Sequence, residues 1–502
     1  MKRRIPPASE RKPLSISCTS ATFAATLLFL NLTNHLASAQ QISDALRVAR
    51  QGLDFNGRAL GLGNAYSTIG SDFSALRFNP ATMALSKKAS YTASWNTNAF
   101  QSSSDYYGTH TDFTVTSTPA GQIGFTFPFA LDTTHNVVLG LGYTQPKDFD
   151  LGYKYEGVNG GSPSFIQVLA AREDPAARAL GLSYPTYDSS GNFLGDHTIL
   201  GANMFEKGYL LDEGGLTHFS FGASVEAAHN IFFGMSGSYN TGYYTSDLEL
   251  SAADVNDFYP SGVQTIPGDL QTDDFIDTDY RVVRSKQYRG WDVRFGMLYR
   301  LANFIGVSAS FKVPSSHKVE EEVFISGTSQ FGSNRSIVVQ ETATASSYHF
   351  SPPSEVTVGA MANLWILTAT AEASYVDYSA MKITSGAGDL PDRTEINKRI
   401  KDDLAAVVNL NAGAEFRLPF TGLSARAGAM YRPSPFGSDP ARFSQKFLTA
   451  GLGINSNNML QFDLGYAYGW YGENKNQQTD NSDGAEHTIA YHNVVFTLRF
   501  SP

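Results

Sequence analysis

Ile305-Gly306-Val307-Ser308-Ala309-Ser310-Phe311-Lys312-Val313 decides the fold class. The odd positions are Ile305, Val307, Ala309, Phe311 and Val313; the even ones are Gly306, Ser308, Ser310 and Lys312. An apolar residue at every second place gives an extended chain one apolar and one polar face, which is the period of a strand and not of a helix. Gln461 to Trp470 repeats the pattern. There Phe462, Leu464, Tyr466, Tyr468 and Trp470 stand against Gln461, Asp463, Gly465, Ala467 and Gly469. Near the C-terminus Val494, Phe496, Leu498 and Phe500 oppose Asn493, Thr497 and Arg499, with Val495 out of step.

Alternation alone also suits a soluble sandwich, so the number and spacing of such segments matter. Fourteen are expected, at 89–100, 120–130, 136–146, 217–228, 231–244, 291–300, 305–313, 355–363, 366–378, 407–417, 423–432, 446–454, 459–471 and 488–500. A tilted strand needs about 9–11 residues to cross a bilayer. The connections alternate in length. Residues 131–135, 301–304, 418–422 and 455–458 are short, whereas 101–119, 147–216, 245–290, 314–354, 379–406, 433–445 and 472–487 are long. Short turns at one end, long loops at the other and an even strand number are the layout of an outer-membrane barrel.

Composition agrees. Charged residues make up 17% of the 502, below the roughly 25% of soluble globular chains. Aromatics are 13%, with 34 Phe, 25 Tyr and 45 Gly, so a fully water-facing surface is hard to build. After residue 39 no apolar run is long enough for a spanning helix, and any span is therefore β. The net charge of −10 disfavours nucleic acid as a partner. Tyr143, Tyr243, Tyr244, Tyr299, Tyr375, Tyr378, Tyr431, Trp470 and Tyr471 fall near strand ends, as an interfacial girdle would.

Residues 1–39 read as a secretory signal. Lys2, Arg3, Arg4, Arg11 and Lys12 precede the apolar run Ala21 to Leu32, and Ala37-Ser38-Ala39 is a small-x-small cleavage site. The single Cys18 lies within it, so the exported chain holds no disulfide. Residues 40–88 differ from the remainder of the chain. They are Gly- and Ala-rich, with a short helix expected from Asp44 to Gln51 and Ser43 as its N-cap. Such a segment before a barrel of this size suggests a plug, because fourteen strands enclose more space than wall side chains fill.

Gly57-Arg58-Ala59-Leu60-Gly61-Leu62-Gly63-Asn64-Ala65-Tyr66, followed by Ser71-Asp72-Phe73-Ser74-Ala75-Leu76-Arg77-Phe78-Asn79-Pro80-Ala81, resembles the plug of the FadL/TodX family. The resemblance is specific in motif only over this plug; Arg294 to Phe311 and Arg426 to Pro435 look like family strands more weakly. It implies an all-β transmembrane antiparallel barrel of about 14 strands, with the N-terminal plug inside the lumen. The domains are then a signal peptide at 1–39, the plug at 40–88 and the barrel at 89–502.

The implied function is passive uptake of hydrophobic compounds such as long-chain fatty acids across the Gram-negative outer membrane. The partners are hydrophobic small molecules, whether fatty acids or aromatic hydrocarbons, together with outer-membrane lipid and lipopolysaccharide, and the protein is expected to be a monomer. The implied path and plug residues are Gly61, Gly63, Phe73, Leu76, Phe78, Asn79, Pro80 and Ala81. Pro80 fixes its own φ and biases Asn79 toward an extended conformation, while the glycines permit close backbone packing. Two features depart from the family: Ser501 and Pro502 follow the last aromatic, and the connection 147–216 is long.

Within that connection Ser164 to Leu182 reads as two short helices broken at Pro175. Phe165, Ile166, Val168 and Leu169 would form an outer capture groove. No cofactor and no metal is expected. The ten His show no ligand spacing, and the acidic run Asp269, Asp273, Asp274, Asp277 and Asp279 lacks EF-hand spacing and reads as a solvated loop. No Gly-x-Ser-x-Gly elbow is present, and a non-enzyme is expected. The alternative reading is a barrel that does not transport, an adhesin or structural protein, motivated by the long loops.

Overall fold

The computed structural model describes residues 42–502, apart from 44, 54, 131–135, 162, 263–271, 302–303, 333, 387–392, 457–458 and 475–485. The segment read as a signal peptide lies outside the described residues. Fourteen antiparallel barrel strands come after the N-terminal segment. They are β1 Ser90–Tyr106, β2 Thr109–Ser117 with Ala120–Ala130, β3 Asn136–Asp148 with Leu151–Val158, β4 Phe205–Ala228 and β5 Ile231–Ala253. Next come β6 Phe275–Leu301, β7 Ile305–Pro314 with His317–Phe331, β8 Arg335–Ser351 with Glu355–Leu364, and β9 Leu367–Asp377 with Lys382–Gly386. The series ends with β10 Ala406–Arg417, β11 Leu423–Arg432, β12 Gln445–Ser456, β13 Leu460–Asn474 and β14 Glu486–Phe500.

Each strand pairs with the next, and β14 returns to β1 in the register Tyr91↔Phe500 to Asp105↔Glu486, which closes the sheet. Closure removes both edges and satisfies the backbone without water. The side-chain pattern is inverted relative to a soluble barrel. Trp95, Phe221, Leu410, Leu452 and Leu464 point outward and are exposed, while Asn96, Ser220, Asn411 and Asp463 point inward and are buried. An apolar outer band of this kind is stable in hydrocarbon, so this is a transmembrane barrel of the outer-membrane type. Val495, the residue out of step in β14, faces inward and packs with Leu60 of the N-terminal segment.

The strands differ from expectation in length. The spans 101–119, 245–290 and 314–354, read as loops, are largely strand, and β4, β5 and β6 run for 24, 23 and 27 residues. Above the bilayer the apolar face switches from the outside to the inside, where Leu250, Tyr280, Val282 and Phe331 pack in one buried cluster, so the period-2 pattern changes phase within a strand while hydrogen-bonded pairing continues. Tyr244 and Tyr378 are buried in the interior and do not belong to an outer girdle; Tyr243, Tyr299, Tyr375 and Tyr431 do face outward. Strand halves part beside proline, which cannot donate to a ladder. Pro119 interrupts β2, Pro314 ends the first half of β7, and Pro352 and Pro353 divide β8.

β2 and β3 pair only from Gln122↔Thr144 to Ala130↔Asn136. Above this the upper half of β2 pairs with β1 and the upper half of β3 pairs with β4. Among the described residues the upper β2–β3 seam therefore carries no ladder between the two strands, and β3 has its irregularity there, between Thr144 and Lys147.

Candidate functional site

The N-terminal segment lies against the inner face of the wall. Asn56 caps the short helix α1, Gly57–Gly61, its side chain accepting from the Arg58 and Ala59 amides. The Gly57 amide donates to Thr497 Oγ1 of β14 at 2.9 Å, and the Gly61 carbonyl accepts from Thr449 Oγ1 of β12 at 3.3 Å. Gly63 has φ +60°, and a Cβ there would stand 2.6 Å from the Ala412 carbonyl oxygen. Only glycine meets both conditions at once.

Asp72 ties the segment together. Its carboxylate accepts from the Tyr66 hydroxyl at 3.1 Å, from Asn56 Nδ2 at 3.2 Å and from the Ser74 amide at 3.0 Å. Helix α2, Ala75–Phe78, comes next, and Asn79 is extended at φ −157°. Asn79 Nδ2 donates to the Ser67 carbonyl at 2.9 Å and to the Met297 carbonyl of β6 at 3.0 Å, while its Oδ1 accepts from the Ala81 amide at 3.1 Å. Pro80 opens the 3-10 turn Pro80–Leu85. The Asn-Pro step thus joins the segment to the wall.

A charged tether was not foreseen from sequence. Arg58 Nε and Nη2 donate to the two Glu415 oxygens of β10, and Arg426 Nε of β11 donates to Glu415 Oε2 at 2.8 Å. Arg426 also meets Asp463 of β13 at 2.7 Å. Arg426 and Glu415 both fall on the polar face of alternating strands, which was the available signal; which charges meet across strands depends on register.

Among the described residues three regions of the bore matter here. The first holds the stretch 42–49, which is helical at Ile42, Ser43 and Ala45–Ala49, so Ser43 is inside the helix and not its cap. Ile42 and Leu46 pack among Phe149, Tyr244, Tyr288, Tyr348 and Phe350. The second is polar, lined by His218, Asn240, Asp292, Arg294, Lys312 and Glu355. The third is a cavity of about 200 Å³ beside the β2–β3 seam, with Leu53, Phe55, Phe100, Phe149, Leu151 and Phe447 on its apolar side and Arg50, Lys147, Asp148, Asp150 and Arg432 among its charged lining. At the seam Asp148 accepts hydrogen bonds from Asn98 of β1 and Ser117 of β2.

A cap closes the loop end. Helices α3, Phe165–Ala171, and α4, Pro175–Ala179, form on either side of the Asp174-Pro175 step. Ser164 and Gln167 make a capping box, and Asp174 caps α4. Their apolar faces pack with Leu200, Tyr280 and Phe331 in one buried cluster. The Glu206 carboxylate lies under the α3 N-terminus, accepting from the Phe165 amide at 3.2 Å, from Asn159 Nδ2 at 3.4 Å and from the Tyr106 hydroxyl. Burial pushes its pKa up to about 7, against the lowering effect of those donors.

The sequence-derived residues divide into two groups. Gly61, Gly63, Phe73, Leu76, Phe78, Asn79, Pro80 and Ala81 all lie in the wall-contacting segment. Phe73 and Leu76 pack with Met83 and Val138 of β3, and Phe78 stands edge-on to Tyr66. Phe165, Ile166 and Leu169 are buried in the cap and Val168 is half-buried, so they line no open groove in this state. Among the described residues no group of three or more His, Cys, Asp or Glu is placed to hold a metal ion.

Among solved structures, the chain is similar to the Pseudomonas putida toluene transporter TodX, at 13% identity and a TM-score of 0.52, over 90% of this chain and 99% of that one. It shares the fold of the FadL/TodX channels. A Pseudomonas aeruginosa FadL homologue matches at 11% identity and a TM-score of 0.51, again over 90% of this chain and 99% of the other. No protein-family model matches the sequence, and no curated protein matches it.

Proposed function

We propose that this protein is a passive channel of the Gram-negative outer membrane that takes up hydrophobic compounds, with long-chain fatty acids and aromatic hydrocarbons as the candidate substrates. The reading rests on one observation above others: a cavity inside the bore, with an apolar wall of Leu53, Phe55, Phe100 and Phe447, adjoins the seam where β2 and β3 are not zipped together. A hydrophobic solute gains roughly 0.8 kcal/mol per buried methylene, so such a cavity holds it without ATP or ion coupling. Pulling the seam apart breaks side-chain contacts and no backbone ladder, which makes it the cheapest place in the wall to let a solute into the bilayer. The shared fold with a toluene transporter supports the same reading.

In this mechanism residues 40–88 act as the plug. Gly61 and Gly63 let it lie flush with the wall, and Asn79-Pro80-Ala81 anchor it to β6. Phe73, Leu76 and Phe78 are the apolar side chains along which the solute passes. Entry begins at the cap, where Phe165, Ile166, Val168 and Leu169 become a capture surface once the cluster parts. Lipid and lipopolysaccharide surround a single copy of the chain.

The test is uptake of radiolabelled oleate and of toluene by cells lacking their own carrier. Expression of this chain should raise uptake of at least one several-fold. Passage of small hydrophilic solutes alone would sink the reading.

A further inference from the structure

The short-turn end of the barrel, which faces the periplasm, carries a polar pocket of about 270 Å³. Three parts of the chain meet there. Residues 85–88 lead from the N-terminal segment into β1, the turn after β12 returns at Met459, and β14 ends at Phe500. Lys87, Lys88 and Arg499 line the pocket, with Ser71, Asn455 and Gln461 as neutral polar neighbours. A water takes about 30 Å³ of liquid, so the space holds a small anion together with solvating waters.

The charge in this pocket is of one sign. No carboxylate side chain lines it, and among the described residues neither lysine nor Arg499 forms an ion pair. Arg499 donates from Nη2 to Ser71 O at 2.9 Å and from Nη1 to Ser71 Oγ at 3.4 Å, and its Nε has no hydrogen-bond partner among the described residues. A guanidinium carries five N–H donors, so Ser71 uses only part of its capacity. Two carboxylates of the same end are engaged elsewhere. Asp463 accepts from Gln461 Nε2 at 2.8 Å and meets Arg426 at 2.7 Å, and Asp72 takes the Tyr66, Asn56 and Ser74 donors. Like charges lining one cleft focus their potential on it and concentrate counter-ions there.

We propose that this periplasmic pocket binds a phosphate group, held by Lys87, Lys88 and Arg499. Phosphate suits the site better than carboxylate, because its oxygens spread over more directions and can meet cations arriving from separate elements, while arginine takes two of them side by side. The phosphate belongs either to a phospholipid headgroup of the inner leaflet or to a free anion of the periplasm. On the lipid-facing side of the same rim Leu460 stands opposite Phe500, both exposed, and the Phe500 ring stacks on Tyr91, so acyl chains would find an apolar surface beside the pocket. Thr92 of β1 is the register partner of Arg499 of β14. The bound phosphate therefore bridges the strands that close the barrel, at the point where the N-terminal segment enters the wall.

The experiment reads thermal unfolding of the full-length protein in an uncharged maltoside detergent, since a ligand that binds only the folded state raises the midpoint. The probes are inorganic phosphate, dihexanoylphosphatidylglycerol and, as the phosphate-free control, dihexanoylglycerol. The midpoint should rise saturably with at least one phosphate probe and not with dihexanoylglycerol. A rise with the lipid alone assigns a headgroup, and a rise with inorganic phosphate assigns a free anion. Lys87→Gln combined with Lys88→Gln should raise the half-saturating concentration at least about tenfold, as the loss of hydrogen bonds from charged groups predicts. Arg499→Gln should do the same, and Arg499→Lys should keep part of the response. Lys382→Gln, an exposed lysine at the opposite end, should change nothing. Heat-modifiable gel mobility checks that each variant is a folded barrel, and the two exposed lysines keep the test open if Arg499→Gln does not assemble. No rise with either phosphate probe, an equal rise with dihexanoylglycerol, or an undiminished response in the double lysine variant would overturn the assignment.

Discussion

Arg58 and Glu415 are joined by two hydrogen bonds, Nε to Oε2 at 2.9 Å and Nη2 to Oε1 at 3.1 Å, across 357 residues of sequence. The pair fixes the N-terminal segment to β10, and Arg426 and Arg417 complete the carboxylate's shell. Removing one member of a buried pair strands the other and costs about 3–5 kcal/mol. Glu415→Gln should therefore loosen the segment more than Arg58→Gln, since it disturbs three arginines. Hydrogen exchange of amides 57–66 should rise in both, while the β10–β11 ladder stays protected. Unchanged protection would show that the glycine contacts alone hold the segment.

Gly63→Ala combines two penalties. The left-handed conformation costs an alanine roughly 1–2 kcal/mol, and its Cβ would meet the Ala412 carbonyl oxygen at 2.6 Å. Gly108→Ala is the control, because Gly108 has φ +83° with nothing within 4 Å of an added Cβ. Thermal unfolding should show Gly63→Ala as clearly the more destabilising. Similar losses at the two sites would mean that the wall gives way without cost.

Asn79→Ala leaves the Ser67 and Met297 carbonyls without their side-chain donor. A buried acceptor that loses its partner costs about 1–3 kcal/mol. On the proposed path, labelled-solute uptake should fall several-fold with assembly intact by heat-modifiable mobility. Asn79→Asp keeps the acceptor for the Ala81 amide but loses both donations, and should behave like the alanine variant. Normal uptake in both would reduce Asn79 to scaffold.

The cap should respond to pH through Glu206. Its folded pKa of about 7 lies above the ordinary value of 4.5. The neutral form is favoured in the closed cap, so the stabilisation is complete below the unfolded value and is lost as pH rises through about 7. Limited proteolysis within 160–204 should be slower at pH 5.5 than at pH 8.5, and Glu206→Gln should remove most of the difference. Equal cleavage of wild type at both values would sink this account.

The bilayer-spanning halves of the strands were legible because lipid on one side and a packed polar bore on the other impose opposite demands on successive residues. All fourteen expected segments fall inside barrel strands, overrunning them by at most one residue, but several strands extend well beyond the expected ends. The strand extensions beyond the bilayer were not legible, since the apolar face turns inward there and the alternation changes phase partway along each strand. The two cap helices were, because the first stops at Ala171, short of Pro175, and the Asp174-Pro175 step begins the second. Their burial was not, since an apolar helix face reads the same whether it meets a ligand or a neighbouring strand.

By itself the sequence determined the β period, the strand number and the special character of residues 57–81, because each arises from local covalent and solvation constraints. Only the tertiary structure decided that Arg58 meets Glu415, that the β2–β3 seam is unzipped, and that Arg50, Lys147 and Arg432 converge on one cavity. Those relations depend on strand register and on barrel closure. Both are set by the free energy of the whole cylinder, and no local stretch of chain encodes them.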